Sequence, residues 1–145
     1  MNSLRVRPAS WPSQSDVLLR VREEVFVGEQ GVPVELERDD GDSVAFHVLA
    51  EDSDGVPVGT GRLLPDGRIG RMCVLAEFRR RGVGSDMLDA LLAEARRLSL
   101  DQVTLHAQVH AQAFYARHGF VSSGDAFVEA GILHCPMQKR LNPQG

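Results

Sequence analysis

Between Val74 and Leu98 a short apolar strand runs into a turn of three arginines and two glycines, and an amphipathic helix follows at once. No other stretch constrains the fold as strongly. The first turn of a helix carries backbone N–H groups without partners, at the positive end of the helix dipole, so a strand–turn–helix of this kind forms an anion site. Gly82 and Gly84 lack the Cβ atoms that would hold a phosphate away from those amides. The helix buries one broad stripe of Val83, Met87, Leu88, Leu91, Leu92, Ala95 and Leu98, with Arg96 and Arg97 at its C-terminal end.

The flanking segments read as alternating elements of an α+β layout. Leu4 to Arg7 alternates as a strand, Pro8 to Ser15 reads as a loop, and Ser15 or Asp16 is placed to cap a helix from Asp16 to Gly28. An acidic run from Val34 to Ser43 comes next. It reads as a solvated loop with an added helical turn near 34–38, and it could also attract a cationic substrate. Strands are expected over Val44–Glu51, Val56–Leu64 and Arg68–Leu75, joined by the Asp54-Gly55 and Pro65-Asp66-Gly67 turns. In the first of these, Ala45, His47 and Leu49 share one face, and Phe46, Val48 and Ala50 share the other. After the long helix come a strand at Val103–Val109, a short helix at Ala111–His118 ended by Gly119, an interrupted strand through Phe120-Val121 and Phe127-Val128, a last strand at Ile132–Leu141, and a polar tail from Asn142.

Bulk properties narrow the function classes. A chain of 145 residues suits one domain, taken as residues 1–145. A formal net charge of -4 disfavours general nucleic-acid binding, which calls for a basic excess. Neither an apolar run long enough to span a membrane nor the apolar core of a signal peptide is present, so a cytoplasmic location without membrane association is expected. Cys73 and Cys135 lack ligand spacing and read as buried thiols; no metal is expected.

Three phosphate-binding patterns can be compared with the glycine turn. The P-loop needs a lysine and a hydroxyl residue after its second glycine, and neither is in place. The dinucleotide fingerprint needs a glycine where Met87 stands. What remains is Arg-x-x-Gly-x-Gly, met by Arg79, Gly82 and Gly84. The stretch Val74-x-x-x-Phe78-Arg79-x-x-Gly82-x-Gly84 resembles the acetyl-CoA-binding signature of the GNAT superfamily of N-acetyltransferases. Ala113-Phe114-Tyr115-Ala116-Arg117-His118-Gly119-Phe120 resembles its second signature. A narrower similarity is to the ElaA-like branch, through Val25-Phe26-Val27-x-Glu29-Gln30-Gly31-Val32-Pro33, Asp42-x-x-Ala45-x-His47, Ala107-Gln108 and Gly131-Ile132-Leu133-His134-x-x-Met137. Leu133 stands where that branch commonly has proline.

The resemblance implies a GNAT-like mixed, mostly antiparallel sheet of about six or seven strands, helices on both faces, and a splay between the fourth and fifth strands. It implies that acetyl-CoA is the cosubstrate, with the pyrophosphate on the amides and side chains of Arg79, Arg80, Arg81, Gly82, Val83, Gly84 and Ser85. Pantetheine would lie along Met72, Cys73 and Val74, with Gln108, Phe114 and Tyr115 completing the cofactor site. Attack by an amine requires proton removal, polarisation of the thioester carbonyl and protonation of the departing sulfur. Tyr115 takes the third task by family position. Glu29 and His47 are the candidates for catalysis on the amine side, and His106 and His134 join them as substrate-site residues. The acceptor is an amine of a small molecule or a protein, and homodimer formation is left open. A non-catalytic acyl-CoA-binding domain is the competing class.

Overall fold

The computed structural model describes residues 4–141. The polar tail from Asn142 and the first three residues lie outside that range. Eight strands form one sheet in the order β1-β2-β3-β4-β5-β8, with β6 and β7 on the outer edge of β8. In chain order the elements are β1 (Arg5–Ala9), α1 (Trp11–Arg22), α2 (Val34–Glu37), β2 (Phe46–Glu51), β3 (Pro57–Leu63), β4 (Arg68–Val74), α3 (Val83–Arg97), β5 (Gln102–Gln108), α4 (Gln112–Arg117), β6 (Val121–Ser122), β7 (Phe127–Glu129) and β8 (Ile132–Arg140). All pairings are antiparallel except β4 with β5, which is parallel. The expected six or seven strands become eight because the interrupted strand is two short pieces, both paired with β8.

The α3 stripe packs on one face of the sheet. Gly59 and Gly61 of β3 point toward Met87 and Leu91, and a Cβ on Gly61 would come within 2.8 Å of Met72 Sδ. The same core takes in Phe46, Val48 and Ala50 of β2, and Val103, Leu105 and Ala107 of β5. Leu98 falls outside the stripe: the helix ends at Arg97, and Leu98 is exposed. The opposite face carries α1, whose Val21 packs with Val25 and Cys73.

The start of α1 differs from the sequence expectation. Pro8 lies in the edge strand β1, where a missing N–H leaves no ladder bond unmade, and the helix begins at Trp11 with a proline in its first turn. Ser10 occupies the N-cap, and its amide is bonded by the Gln14 side chain at 3.2 Å. Neither Ser15 nor Asp16 caps. The α-helix stops at Arg22 and a π-helical turn carries the chain from Glu23 to Glu29.

That change of winding comes directly after the most buried cation in the described chain. Arg22, 1% exposed, places its Nε 2.6 Å from Glu37 Oε2 and its Nη1 2.7 Å from Asp42 Oδ1. Arg62 reaches Asp39 and Asp42, each at 2.7 Å, and Arg71 reaches Asp39 at 3.2 Å. Three carboxylates of the acidic run are therefore matched by three arginines, and the run is not the free cation attractor that its composition suggests. Burial would raise Asp42, but hydrogen bonds from Arg22 and Arg62 outweigh it and hold the carboxyl low. Glu37 is raised, because burial exceeds what Arg22 and Arg71 return; its Oε1 has no partner. Breaking such a network by removing one partner strands the others in a dry interior. Arg22→Ala should lower the unfolding free energy by about 3–5 kcal/mol in a denaturant titration, and Arg22→Lys should recover only part of that.

Candidate active site

Strands β4 and β5 are paired only at Arg68 with Thr104 and Ile69 with Leu105. Beyond those residues they separate, as the expected splay requires, and a cleft of about 1130 Å³ opens between them. Arg71, at the start of the divergence, has φ 51°, and the β3–β4 register shifts opposite it. A non-glycine residue there costs about 1–3 kcal/mol and persists only where its surroundings enforce it. Here the Arg71 Nε donates to the Glu37 carbonyl at 2.9 Å, which ties the bulge to α2.

One end of the cleft is built from the turn before α3. Gly82 caps the helix at φ 82°, a left-handed conformation that glycine adopts without strain, and Arg80 is also left-handed at φ 65°. The Arg79 amide bonds to Ala76 and the Asp86 amide to Gly82. Between them, the amides of residues 80–85 have no acceptor among the described residues. Arg79, Arg80, Gly82, Val83, Gly84 and Ser85 line the cleft. Arg81 does not; its guanidinium lies 5.2 Å over the Phe78 ring. Gly84 has a packing role as well, since a Cβ there would sit 3.3 Å from Phe114 Cζ. Ser85 Oγ lies 3.0 Å from His118 Nε2, which ties the first turn of α3 to the end of α4. His118 belongs to the second signature, but nothing in its sequence position points to this tie.

Met72, Cys73 and Val74 line the cleft on its β4 side, and Phe114 and Tyr115 line it from α4. Tyr115 is 8% exposed, and its hydroxyl makes no hydrogen bond to any described residue. Tyr115 lines the cleft, and its oxygen is not among the buried polar atoms sealed without a partner. Burial, with a smaller contribution from Cys73, pushes the phenol far above its usual range, and the group stays protonated at neutral pH. Burial also pushes the Cys73 thiol up to about 11, which leaves it a thiol rather than a nucleophilic thiolate.

The remaining candidates separate clearly. Glu29 lines the cleft, but both its oxygens are held by Arg79, at 2.8 and 2.6 Å, and these hydrogen bonds lower its carboxyl. Arg79 also donates to the Val74 carbonyl at 2.8 Å, so the pair closes the end of β4 onto the π-helical turn. Gln108 lies across the gap in a reciprocal amide pair with Gln30, at 2.8 and 3.2 Å. His106 and His134 both line the cleft. His47 does not. It stacks on Trp11 at 4.9 Å, with Nε2 2.9 Å from the Asp42 carbonyl, on a strand separated from β4 by β3. It shares a face with Leu49 as the alternation requires, but that face meets α1 rather than the gap, and burial lowers its pKa. Three further cleft residues carry no functional signal in the sequence: Gln30, which only forms part of the ElaA-like pattern, and Arg68 and Glu129, which are isolated charges.

A parted parallel pair, unpaired amides at the start of a helix, and a buried tyrosine facing the gap form one arrangement. The family described as "Acetyltransferase (GNAT) domain" matches residues 12–141. The chain belongs to the GNAT acetyltransferase family. It is 42% identical over 123 residues to the "Uncharacterized N-acetyltransferase YjcF" of Bacillus subtilis, covering 82% of this chain and 87% of that protein. Among solved structures, an acyl-CoA N-acyltransferase from Pseudomonas aeruginosa superposes with a TM-score of 0.83 at 35% identity, covering 94% of this chain and 99% of the other. Escherichia coli ElaA superposes with a TM-score of 0.80 at 30% identity over 96% and 99%. Among the described residues no group of three or more His, Cys, Asp or Glu is placed to hold a metal ion.

Gly84→Val should displace the Phe114 ring and crowd the amides beside it. The expected result is a loss of acetyl-CoA affinity of about tenfold or more by calorimetric titration, with the unfolding transition still cooperative. Unchanged affinity would remove the pyrophosphate from this turn.

Proposed function

We propose that the chain is an acetyl-CoA-dependent N-acetyltransferase, one domain over residues 1–145, that transfers the acetyl group directly to an amine of a small molecule or a protein. The observation that carries this reading is Tyr115. Its protonated, unpartnered hydroxyl faces the cleft from a helix that His118 ties to the phosphate-binding turn. Support for a single domain comes from one continuous core that takes in Leu4 at one end and Leu141 at the other.

The residues fit coenzyme A. Arg80 and residues 82–85, whose amides are free, line one end of the cleft, where a pyrophosphate can be held. The edge of β4 from Gly70 to Val74, released from β5, offers backbone groups along which pantetheine can lie as an added strand. The cosubstrate supplies an acetyl carbon activated by a thiolate leaving group. The amide N–H of Cys73 or Val74 supports the carbonyl oxygen, and Tyr115 gives its proton to the departing sulfur. Arg79 and Glu29 neutralise one another at the mouth and position the π-helical turn over the cleft.

A cytoplasmic location with no nucleic-acid or membrane partner completes the proposal, and homodimer formation stays open. The net charge of -4 and the two free, buried cysteines support it, and among the described residues no helix is long and apolar enough to cross a membrane.

The test pairs acetyl-CoA titration with thiol release over a panel of primary amines. Tight binding without turnover on any amine would defeat the transferase reading and leave an acyl-CoA-binding protein. Tyr115→Phe should lower kcat by roughly 10²–10⁴-fold with acetyl-CoA affinity within about twofold of the parent. Cys73→Ala should keep turnover within about threefold in the same assay, because a thiol that stays protonated carries no acyl group; loss of turnover with a burst of enzyme-bound acetyl in the parent would replace direct transfer by a two-step route.

A further inference from the structure

Acetyl transfer to an amine, as proposed above, needs a proton acceptor for the incoming nitrogen, and the assignment of that acceptor rests on the transferase reading. Most carboxylates and imidazoles on the cleft wall are already committed. Glu29 is doubly bonded to Arg79. Glu37 is spent on Arg22, and its free oxygen is sealed from solvent. Asp39 is held by Arg62 and Arg71, and the Arg62 hydrogen bonds lower its carboxyl to about 2. His110 is exposed beyond the end of β5, and its Nε2 lies 2.7 Å from Gln108 Oε1, an atom that only accepts. The outer nitrogen of that ring is therefore the donor, and its lone pair is left on the nitrogen nearer its own backbone.

His106 and Glu129 are engaged with each other at 3.2 Å, and His106 Nδ1 also lies 2.8 Å from Arg68 Nη2. One ring nitrogen cannot accept from the guanidinium and donate to the carboxylate together. In the neutral ring that accepts from Arg68, the proton sits on Nε2, and that atom has no lone pair to offer.

His134 differs in this respect. Its Nδ1 lies 2.7 Å from the Ile132 carbonyl, and a carbonyl only accepts. The proton of the neutral ring is therefore held on Nδ1, and Nε2, the outer nitrogen, presents a lone pair. Nε2 makes no hydrogen bond to any described residue, and although His134 is 8% exposed, Nε2 is not among the sealed polar atoms. Its position is equally specific. His134 is paired with Gln108 in the β5–β8 ladder, so its side chain shares a face with Gln108 and His106, one strand spacing of about 4.8 Å from the strand that borders the gap. Phe127 stacks on the ring at 6.0 Å and fixes its plane.

The geometry points to His134 Nε2 as the general base that deprotonates the acceptor ammonium. His134 takes one proton from the ammonium, and the freed nitrogen lone pair forms the C–N bond to the acetyl carbon. As the C–S bond breaks, Tyr115 gives its proton to sulfur and is restored by the second proton leaving nitrogen. His134 then releases its proton to solvent. The products are an amide, a free thiol and one proton.

His134→Asn tests this, because the Asn amide can still donate to the Ile132 carbonyl while Nε2 is gone. With an aliphatic primary amine that the parent acetylates, kcat/KM should fall by about 10²–10³-fold and acetyl-CoA affinity should stay within about twofold. With an arylamine, which is already neutral at assay pH, the fall should be at least tenfold smaller, by the same proton-transfer reasoning. A merely structural role would depress both amines alike, and that outcome, or an Asn variant within about twofold of the parent on both, overturns the assignment. Nitrogen-15 correlation spectra of the labelled parent supply a measurement that needs neither turnover nor a folded variant: the neutral His134 ring should be protonated at Nδ1. A ring protonated at Nε2 removes the proton acceptor whatever the kinetics show. A parent that binds acetyl-CoA but acetylates no amine defeats the transferase reading itself, and with it this role.

Discussion

The parting of β4 from β5 after two residue pairs is the constraint on which the rest of the molecule depends. A parallel pair deep in a sheet would ordinarily satisfy every backbone group along its length. Here the inner edge of β4 beyond Ile69 has no partner strand, and the protein has to hold the strands apart without losing the sheet. On the β4 side the Arg71 bulge bends the strand, and its side chain is anchored on the Glu37 carbonyl. On the β5 side the full ladder to β8, from Gln102 with Arg140 to Gln108 with His134, keeps β5 in register along its length. The core beneath, from Met87 and Leu91 of α3 to Leu105 and Ala107 of β5, is continuous across the gap.

That arrangement explains why a buried ionic network sits where an apolar cluster would be cheaper. Desolvating Arg22, Glu37, Asp42 and Arg62 is costly, and well-packed apolar residues often match or exceed such a network in stability. What an apolar cluster cannot do is orient backbone. Arg22 Nη2 and Arg71 Nε both donate to the same Glu37 carbonyl, so α1, α2 and the β4 bulge are fixed relative to one another at one atom. The π-helical turn after Arg22 then delivers Glu29 and Gln30 to the mouth of the cleft, where Arg79 and Gln108 receive them.

Much of the glycine turn before α3 is legible in the sequence because its structure is local. Gly82, Gly84 and the arginines lie within a few residues, and a strand, a turn and a helix N-terminus follow from spacing alone. The alternation in β2 and β5 separates the two faces of the sheet as the core does. Faces, however, do not give strand order. His47 shares a face with Thr60 and Arg62, yet β2 lies two strands from β4, and only the pairing through β3 reveals that distance. Contacts spanning many residues are equally invisible: Gln30 with Gln108, Arg79 with Glu29, and the acidic run with arginines drawn from three elements. Arg81 shows the limit at short range, since the turn that presents Arg80 to the cleft rolls its neighbour onto Phe78.

The neutralisation of the acidic run also bears on how the proposed transferase would select an acceptor. An unpaired cluster of Glu37, Asp39 and Asp42 would draw any cation by its field, with little regard for shape. Paired with Arg22, Arg62 and Arg71, those carboxylates contribute fixed dipoles instead of net charge. The wall they support is lined by Leu36 and Leu64 on one side and Ile132 on the other, with Arg68, His106 and Glu129 bonded among themselves between them. On the proposed function, discrimination in such a cleft would rest on fit against apolar walls and on whether an amine nitrogen can reach a proton acceptor of set tautomer, which is a geometric requirement rather than a Coulombic one.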